Sequence, residues 1–413
     1  MALSVDKIIN VLDNISPDLN VQEHTQVTEA LRRTLNRLQT PFERAWEMTA
    51  PQPLVLAACQ TTIDLGLWEA WRSAGGGQKS LDELVRLCNK GCNPNLLRMT
   101  LTTSTYSTLT DLRSGRLMRL LVARNVVEET GLDIFQPTAF SLAMGDRSIA
   151  LSLQLGTYHL IPAALEVPSH LALTAYQEPT DANNTAYIKM GWNPEKLDFF
   201  ARCGRKPELQ ESFVQFMSAT TAWKQNWIDY FDTSTLVDES VLDNGKKTPI
   251  FVDIGGSIGL DVTRFLEKHP DVPDGSLVLQ DLDDVISMVK VDPKIRVMAH
   301  DFFKPQPVIN SRIYFLHAVL HDWSDTLALQ ILSNLVPAFK KGYSKLLIAD
   351  GVIPPEGASA MQATHDLLMM GLLSAGERTE AAWSKLLNTA GFKVVKVWKD
   401  SQKMECVIEA ELE

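Results

Sequence analysis

The sequence contains no uncharged apolar stretch of about 20 residues, the length that a membrane-spanning helix requires. Its N-terminal segment, MALSVDKIINVLDNISPDLN, lacks a basic stretch followed by an apolar core, which is the pattern of a secretory signal. We therefore expect a soluble, cytoplasmic protein without a membrane partner.

Cysteine is scarce, with five residues in a chain of 413. Cys88 and Cys92 are the only close pair, and no second pair is present to complete a zinc site. An odd number of thiols in a long chain also argues against a disulfide framework. We expect reduced cysteines and no bound metal.

Basic residues are fewer than acidic ones: the chain has 39 Lys and Arg against 50 Asp and Glu, which gives a formal net charge of −11. This balance argues against a surface that binds phosphate backbones, so we expect no nucleic-acid partner. The remaining composition is that of an ordinary globular protein, with 45% apolar residues, and the length indicates two domains.

The first predicted domain, residues 1–148, has mainly helical patterns. Apolar residues recur at three- and four-residue spacing in LVLAACQTTIDLGLWEAW and SLDELVRLCN, with Ser80 placed to cap the second segment. A hairpin centred on Gly131 follows in VVEETGLDIFQPTAFS. Helices followed by a hairpin predict a winged-helix domain, which we expect to serve packing or dimerisation. Residues 99–115, rich in Thr and Ser, interrupt a helical pattern and are interpreted as an insertion without chemical function, with a substrate lid as the alternative.

The second predicted domain, residues 149–413, begins with a helical connector and changes rhythm at Thr248. The segments PIFVDIGG, SLVLQD, IRVMAHD, RIYFLHAV and KLLIADG are five successive strand candidates that alternate with helical segments. This alternation predicts an α/β fold with a doubly wound, Rossmann-like parallel sheet. Ligands of such sheets bind beyond the carboxyl ends of the strands, so the residues that end each strand are candidate site residues.

The first strand end is the glycine-rich turn DIGGSIG, with Asp253, Gly255, Gly256 and Gly259. Glycine there permits a tight turn and a close approach of a ligand to the backbone. Asp281 ends the next strand roughly 20 residues later, where a carboxylate can accept hydrogen bonds from both hydroxyls of a ribose. This spacing indicates a nucleoside cofactor.

The third strand end, Asp301 followed by Phe302, offers a carboxylate and an aromatic surface that suit an adenine. No Lys-Ser or Lys-Thr pair follows the glycines, as a phosphate-binding loop requires, and Asp253 at the turn suits a cation better than a pyrophosphate. S-adenosylmethionine, with its amino group and sulfonium, fits this charge pattern.

Two histidines follow the fourth strand in HAVLHDWSD, at His317 and His321. A histidine at a strand end can act as a general base, since its pKa of about 6.5 lets it accept a proton near neutral pH. It can equally be a structural residue, and the pattern alone leaves both interpretations open.

The segments FVDIGGSIG, QDLDDV, HDFFKPQPV, YFLHAVLHDWSD, LLIADGVIPP and ERTEAAWSKLLNTAGF resemble the successive motifs of the plant and fungal small-molecule O-methyltransferases. The resemblance runs from about Phe213 to the C-terminus, and the N-terminal region is similar, more loosely, to the dimerisation domain of that family. It implies an S-adenosylmethionine-dependent homodimer that methylates a hydroxyl of an aromatic or polyketide-like molecule.

The resemblance assigns His321 as the general base, with Asp350 and Glu377 as the acidic residues that flank and orient it. The cofactor would be held by Asp253, Gly255, Gly256, Gly259, Asp281, Leu282, Asp301, Phe302, His317 and Thr221. The acceptor would contact Phe213, Met217, Trp323 and Met369. Ser257 replaces a glycine that is common in the loop, and His317 stands where many plant members have a lysine.

Two alternatives remain at this point. Some fungal relatives of this family bind the same cofactor and catalyse pericyclic reactions without transferring a methyl group. A winged-helix regulator is the second alternative, supported only by Arg116, Arg119 and Arg124 in the predicted third helix. The identity of the acceptor cannot be derived from the sequence.

Overall fold

The computed structural model describes residues 4–16, 18–90, 116–238, 241, 248–400 and 405–413. The predicted insertion at 99–115 and Cys92 lie outside these residues. The described chain divides into two compact units, Met1–Pro53 and Leu54–Glu413. The predicted domain boundary at residue 148 stays a prediction.

The N-terminal unit is helical. Its helices are α1 (Val5–Asp13), α2 (Val21–Leu38) and α3 (Pro41–Thr49). Asn20 and Thr40 begin α2 and α3 with capping boxes, in which side chain and backbone satisfy each other's hydrogen bonds. No residue of α1 or α3 is buried.

The second unit begins with a helical region that contains a small sheet. Helix α4 (Pro51–Asp64) begins at the end of the N-terminal unit and continues into this one, and it is followed by α5 (Leu67–Ser73), α6 (Leu81–Leu87) and α7 (Arg116–Ala123). The strands β1 (Lys79–Ser80), β2 (Val127–Gly131) and β3 (Ile134–Pro137) pair in the order β1, β3, β2. The capping of α6 by Ser80 is confirmed, with Glu83 completing a capping box. The hairpin β2–β3 also lies where the sequence predicts it.

A helical connector leads to the sheet. It comprises α8 (Ala139–Ala143), α9 (Arg147–Leu155), a π-helical turn (Gly156–Leu160), α10 (Ile161–Leu173), α11 (Ala186–Lys189), α12 (Phe199–Arg205), α13 (Pro207–Trp223) and α14 (Trp227–Tyr230). A π-helical turn is rare and is found frequently at functional sites. Here it lies between α9 and α10.

The main sheet has the strand order β6, β5, β4, β7, β8, β10, β9. The five predicted strands are β4 (Phe251–Ile254), β5 (Leu277–Asp281), β6 (Ile295–Ala299), β7 (Ile313–His317) and β8 (Lys345–Asp350), and they pair in parallel. The sequence analysis did not identify β9 (Phe392–Lys399) and β10 (Cys406–Leu412), which form a hairpin and join β8 in antiparallel fashion. The predicted α/β fold is confirmed.

Helices cover both faces of this sheet. They are α15 (Leu260–Lys268), α16 (Asp283–Ile286), α17 (Asp325–Leu335), α18 (Ala360–Leu373) and α19 (Glu380–Thr389). Alternate residues of β7 enter different apolar layers, with Tyr314 and Leu316 in one and Ile313 and Phe315 in the other. Each of these fully buried side chains stabilises the fold by about 1.5–3 kcal/mol. β7 is therefore apolar on both faces, and its polar residue His317 stands at its end.

Candidate active site

The glycine-rich turn that follows β4 packs closely against neighbouring residues. Gly255 and Gly259 have φ values of 71° and 82°, in the left-handed region that favours glycine. A Cβ atom at Gly256 would lie 2.5 Å from Cγ of Asp253 and also 2.5 Å from a side-chain carbon of Leu279. Gly256 therefore has no room for a side chain, which lets the backbone of the turn pass directly over Asp253 and Leu279.

Asp253 lies beneath this turn and is 1% exposed. Its Oδ2 accepts a hydrogen bond from the Val262 backbone N–H at 3.3 Å, while its buried Oδ1 has no hydrogen-bond partner among the described residues. Burial, with a contribution from Asp261, holds the pKa of Asp253 well above its usual range. An unpaired acceptor here suits a cationic group.

Asp281 ends β5 next to the turn. Its Oδ2 accepts from the Ser257 backbone N–H at 2.8 Å, and its Oδ1 accepts from the Leu282 backbone N–H at 2.8 Å. Burial raises the pKa of this carboxyl and the two backbone donors oppose that shift. Each carboxylate oxygen has a second lone pair, so Asp281 retains capacity for two further hydrogen bonds.

Asp301 and Phe302 follow β6 on the same edge of the sheet. Asp301 accepts a hydrogen bond from the Phe303 backbone N–H at 2.9 Å. The Phe302 ring lies 3.7 Å from the position that a Cβ of Gly255 would occupy, so it borders the glycine turn. The structure therefore brings the predicted ends of β4, β5 and β6 to one place.

His317, at the end of β7, connects this edge to the C-terminal strand. Its Nδ1 lies 2.7 Å from Oδ2 of Asp261, and its Nε2 lies 3.3 Å from Oε2 of Glu405. Lys224 forms an ion pair with Glu405. Burial opposes a charge on His317, but Asp261 and Glu405 outweigh it and hold its pKa well above the usual value. Thr221, one helical turn before Lys224 on α13, is partly buried.

His321 lies after β7 in a single 3₁₀ turn and is 7% exposed. Its Nδ1 lies 2.9 Å from Oε1 of Glu377 and 3.5 Å from Oδ1 of Asp350. Asp322 approaches the other ring nitrogen at 3.4 Å. The three residues that the resemblance assigns to catalysis thus meet in one buried cluster, with Asp322 as an addition.

The charges of this cluster determine its protonation. Burial would lower the pKa of His321, but Asp350, Asp322 and Glu377 outweigh burial and raise it to about 10. Burial also raises the pKa of Asp350. The pKa of Glu377 is held low, because hydrogen bonds to His321 and His365 outweigh its burial. As the pH falls, His321 and Asp350 therefore take up protons before Glu377 does.

His365 is a member of this cluster that the sequence analysis missed. It lies on α18, and its Nδ1 is 2.9 Å from the same Oε1 of Glu377 that contacts His321. The two imidazoles and Glu377 offer ligand atoms within 4.8 Å of one another, and among the described residues this is the group with the geometry of a metal site. Hydrogen bonding to one shared carboxylate oxygen accounts for the same arrangement.

Arg378, next to Glu377, fixes the backbone that carries His321. Its guanidinium donates to the carbonyl oxygens of Leu320 and Trp323, each at 2.7 Å, and to Oδ1 of Asp325 at 2.8 Å. The side chain is 7% exposed and stacks on Trp383. Because several donors of one rigid fork are engaged, the loop around His321 is held in one conformation.

The predicted acceptor residues belong to an aromatic wall formed by the connector and α18. Phe213 packs edge-to-face on Phe199 with ring centroids 5.0 Å apart, and Met369 is buried in the same apolar cluster. Phe200 stacks on Trp323 at 6.3 Å. Met217, one turn after Phe213 on α13, is partly buried. The geometry therefore places aromatic surface beside the loop that carries His321.

Comparisons with known proteins extend over the whole chain. Residues 216–393 match the model of the O-methyltransferase domain. O-methyltransferase ATR12 of Stachybotrys chlorohalonatus is 43% identical over 417 residues, and the alignment covers 100% of both chains. The chain belongs to the O-methyltransferase family. O-methyltransferase mfmE of Annulohypoxylon moriforme is 32% identical to this methyltransferase over 409 residues, with 98% of this chain and 95% of the relative covered.

Solved structures are similar to the methyltransferase over the same length. A structure of LepI in complex with S-adenosylmethionine matches with a TM-score of 0.84 and 25% identity over 99% of each chain, and the same values apply to a structure described as a pericyclic reaction enzyme. OxaC, in complex with sinefungin and meleagrin, matches with a TM-score of 0.79 and 22% identity over 99% of this chain and 98% of its own, which shows the fold. The methyltransferase uses S-adenosylmethionine to methylate an oxygen of a small molecule.

The residues of the site fit this cofactor. Gly256 places no side chain at the turn. The buried Oδ1 of Asp253, which has no partner among the described residues, and the remaining lone pairs of Asp281 supply acceptors that an aminoacyl nucleoside needs. No helix among the described residues has the length and apolar character to cross a membrane.

Proposed function

We propose that the methyltransferase acts on a hydroxyl of an aromatic or polyketide-like small molecule, with His321 as the general base. The observation that carries the proposal is the placement of a buried imidazole against Glu377 and Asp350, on a loop that borders an aromatic wall. The cytoplasmic location stays a prediction.

The acceptor needs a base because a phenol has a pKa of about 10, so only about one molecule in a thousand is ionised at pH 7. S-adenosylmethionine, when bound, supplies a methyl group on a sulfonium that an oxygen nucleophile can attack. The acceptor O–H donates its proton to Nε2 of His321, while the Nδ1–H of the same ring donates to Oε1 of Glu377. A positioned base of this kind contributes about 10²–10⁴ in rate.

The carboxylates around His321 favour the charged imidazolium that forms as the proton is taken up. The same carboxylates retain a proton on the resting imidazole, since they raise its pKa to about 10. The free enzyme must release this proton before His321 can act as a base. We therefore expect the rate to rise with pH from neutrality upwards.

The cofactor would be held along the edge formed by β4, β5 and β6. Asp281 would accept from the ribose hydroxyls, with Leu282 beside it, and Asp301 and Phe302 would bind the adenine. The amino-acid end would lie at Asp253, Gly255, Gly256, Gly259, His317 and Thr221. Phe213, Met217, Trp323 and Met369 would hold the acceptor.

We also propose that the N-terminal unit mediates homodimerisation. Its apolar side chains are exposed in the single chain, among them Val5, Ile9, Val11, Leu35, Leu38, Phe42, Trp46 and Met48. Many large apolar side chains exposed on one short segment are typical of a protein interface. A second copy of the chain would bury them, and sedimentation velocity should give a dimer.

The test of the base is His321→Ala, with His269→Ala as a control. His269 is a partly buried histidine whose Nε2 contacts Thr233 at 2.8 Å after α15, away from the carboxyl ends of the strands. His321→Ala should lower turnover by about 10²–10⁴, with partial recovery at high pH as free phenol ionises, and should leave S-adenosylmethionine binding unchanged. The control should retain turnover.

A pericyclic reaction on the same scaffold makes a different prediction. Methyl transfer forms one S-adenosylhomocysteine for each product molecule in the wild-type enzyme. Product that accumulates without S-adenosylhomocysteine would overturn the proposed reaction.

A further inference from the structure

A buried chain of hydrogen bonds lies beside Phe199 of the aromatic wall and ends in a nitrogen that has no hydrogen-bond partner among the described residues. Arg202, which is 6% exposed, donates through Nη1 to the hydroxyl oxygen of Tyr187 at 3.1 Å and to the carbonyl oxygen of Tyr158 at 3.1 Å. Its Nη2 donates to the carbonyl oxygen of Trp192 at 3.0 Å. The Tyr187 hydroxyl lies 2.5 Å from Nδ1 of His159, and both residues are fully buried.

This chain fixes the tautomer of His159. A guanidinium can only donate, so the Tyr187 oxygen accepts from Arg202. The hydroxyl hydrogen of Tyr187 is buried, and among the described residues Nδ1 of His159 is its available acceptor. Nδ1 must therefore carry a lone pair and Nε2 must carry the hydrogen.

The ring is also neutral. Burial, together with the positive charges of Arg202 and Lys206, lowers the pKa of His159 to about 3. Nε2 of His159 is buried and has no hydrogen-bond partner within the described part of the chain. A buried N–H without an acceptor destabilises a protein unless something else pairs with it.

His159 lies next to the aromatic wall. It lies in the π-helical turn Gly156–Leu160, and its ring packs edge-to-face on Phe199 at 5.3 Å. Phe199 in turn packs on Phe213. Helix α18 contacts both α11, which carries Tyr187, and the turn that carries the base. Because His365 and Met369 lie four residues apart on α18, the base cluster and the wall are separated by about 6 Å along that helix.

We infer that His159 Nε2–H donates a hydrogen bond to a carbonyl oxygen of the acceptor, so that the enzyme selects aromatic substrates that carry a ketone, lactone or amide apart from the methylated hydroxyl. The inference rests on the proposed function of the wall as the acceptor site. A neutral imidazole supplies one donor and no countercharge, which suits a neutral carbonyl better than a carboxylate. Polarisation through Arg202 and Tyr187 strengthens that donor.

The test uses two probes that differ only at this group, 4-hydroxybenzophenone with a ketone and 4-benzylphenol with a methylene. Binding to full-length enzyme saturated with S-adenosylhomocysteine is measured by calorimetry, so no turnover is required and the result does not depend on His321 acting as a base. The wild type should bind the ketone at least tenfold more tightly. His159→Phe should lose this preference and keep its affinity for the methylene probe.

Two variants serve as comparisons. Tyr187→Phe removes the hydroxyl that fixes the tautomer and should reduce the ketone preference. His170→Phe is the matched control, since His170 is also a buried histidine of the connector, 2% exposed, and both of its ring nitrogens lack hydrogen-bond partners in the described structure. It should retain the preference.

Nitrogen-15 NMR of the wild-type enzyme supplies a readout that needs no variant. His159 should show Nε2 protonated in the free state, and the Nε2–H proton should move downfield with the ketone probe but not with the methylene probe. Equal affinity of the wild type for both probes, a ketone preference that survives in His159→Phe, or protonation at Nδ1 would each overturn the inference.

Discussion

Substitution of Asp350 tests how neighbouring charge sets the pKa of His321. It ends β8, is 1% exposed, and both of its carboxylate oxygens lack hydrogen-bond partners among the described residues. Its Oδ1 lies 3.5 Å from Nδ1 of His321. Because it makes no hydrogen bond there, Asp350 acts on the imidazole mainly through its charge, and Asp350→Asn removes this charge with little change in shape.

The expected shift follows from the distance. Two unit charges 3.5 Å apart interact by about 4.7 kcal/mol at an effective dielectric constant of about 20, which corresponds to roughly 3.5 pKa units. Burial raises the pKa of Asp350 to about 7, so this carboxyl is ionised at the higher pH where His321 loses its proton. We therefore expect Asp350→Asn to lower the pKa of His321 by up to about 3.5 units.

The direction of the expected pH shift follows from the reactive form of His321, which is the neutral imidazole. Removing a negative charge makes the imidazolium less stable, so neutral imidazole becomes available at lower pH. The acidic limb of the kcat/KM profile should move to lower pH in Asp350→Asn, as measured by S-adenosylhomocysteine formation between about pH 5.5 and 10. Asp274→Asn, which removes an equal charge from an 82% exposed side chain, should leave the limb in place. An acidic limb that stays fixed or moves upward in Asp350→Asn would refute the reasoning.

Three further variants probe other parts of the site. Asp281→Ala should weaken S-adenosylmethionine binding at least tenfold by calorimetry, because charged hydrogen bonds contribute about 1.5–3 kcal/mol each. Gly256→Ala should lower the melting temperature and cofactor affinity, since the new Cβ would lie 2.5 Å from Cγ of Asp253 and overpacking costs about 1–3 kcal/mol. His365→Ala removes a group that shares Oε1 of Glu377 with His321, so Glu377 should stabilise the imidazolium of His321 more strongly, and the acidic limb should move to higher pH with cofactor affinity unchanged. Unchanged affinity in the first, an unchanged melting temperature in the second, or an unchanged pH profile in the third would contradict these expectations.

The fold was predictable where strands and helices alternate. β4 to β8 each end in a polar or small residue before a helical segment, so their apolar runs and their order were readable from the sequence. β9 and β10 are separated by only six residues along the chain, and β10 pairs with β8 across more than fifty residues. The alternation that identifies parallel strands does not extend to such a hairpin.

The site was predictable only where its residues stand at strand ends or in motifs. His321 and Asp350 meet both conditions, whereas Glu405 reaches His317 from 88 residues away. His365 carries one usable signal, because it lies four residues before Met369 and therefore on the same face of α18. His159 had none, since its tautomer and burial depend on side chains from α11 and α12.

The contacts of Arg378 have a consequence for the tolerance of this enzyme to insertions and deletions. Glu377 orients the imidazole of His321. The next residue, Arg378, donates a hydrogen bond to the carbonyl oxygen of Leu320, which precedes His321. A deletion of one residue between α18 and Glu377 would place Arg378 where Glu377 stands, and an insertion there would place Glu377 where Arg378 stands, so either change removes both supports together. Lengthening the connector helices leaves this pairing untouched. The catalytic cluster thus depends on the exact position of Glu377 and Arg378 along the chain. The aromatic wall depends on the shapes of its side chains and can change by single substitutions.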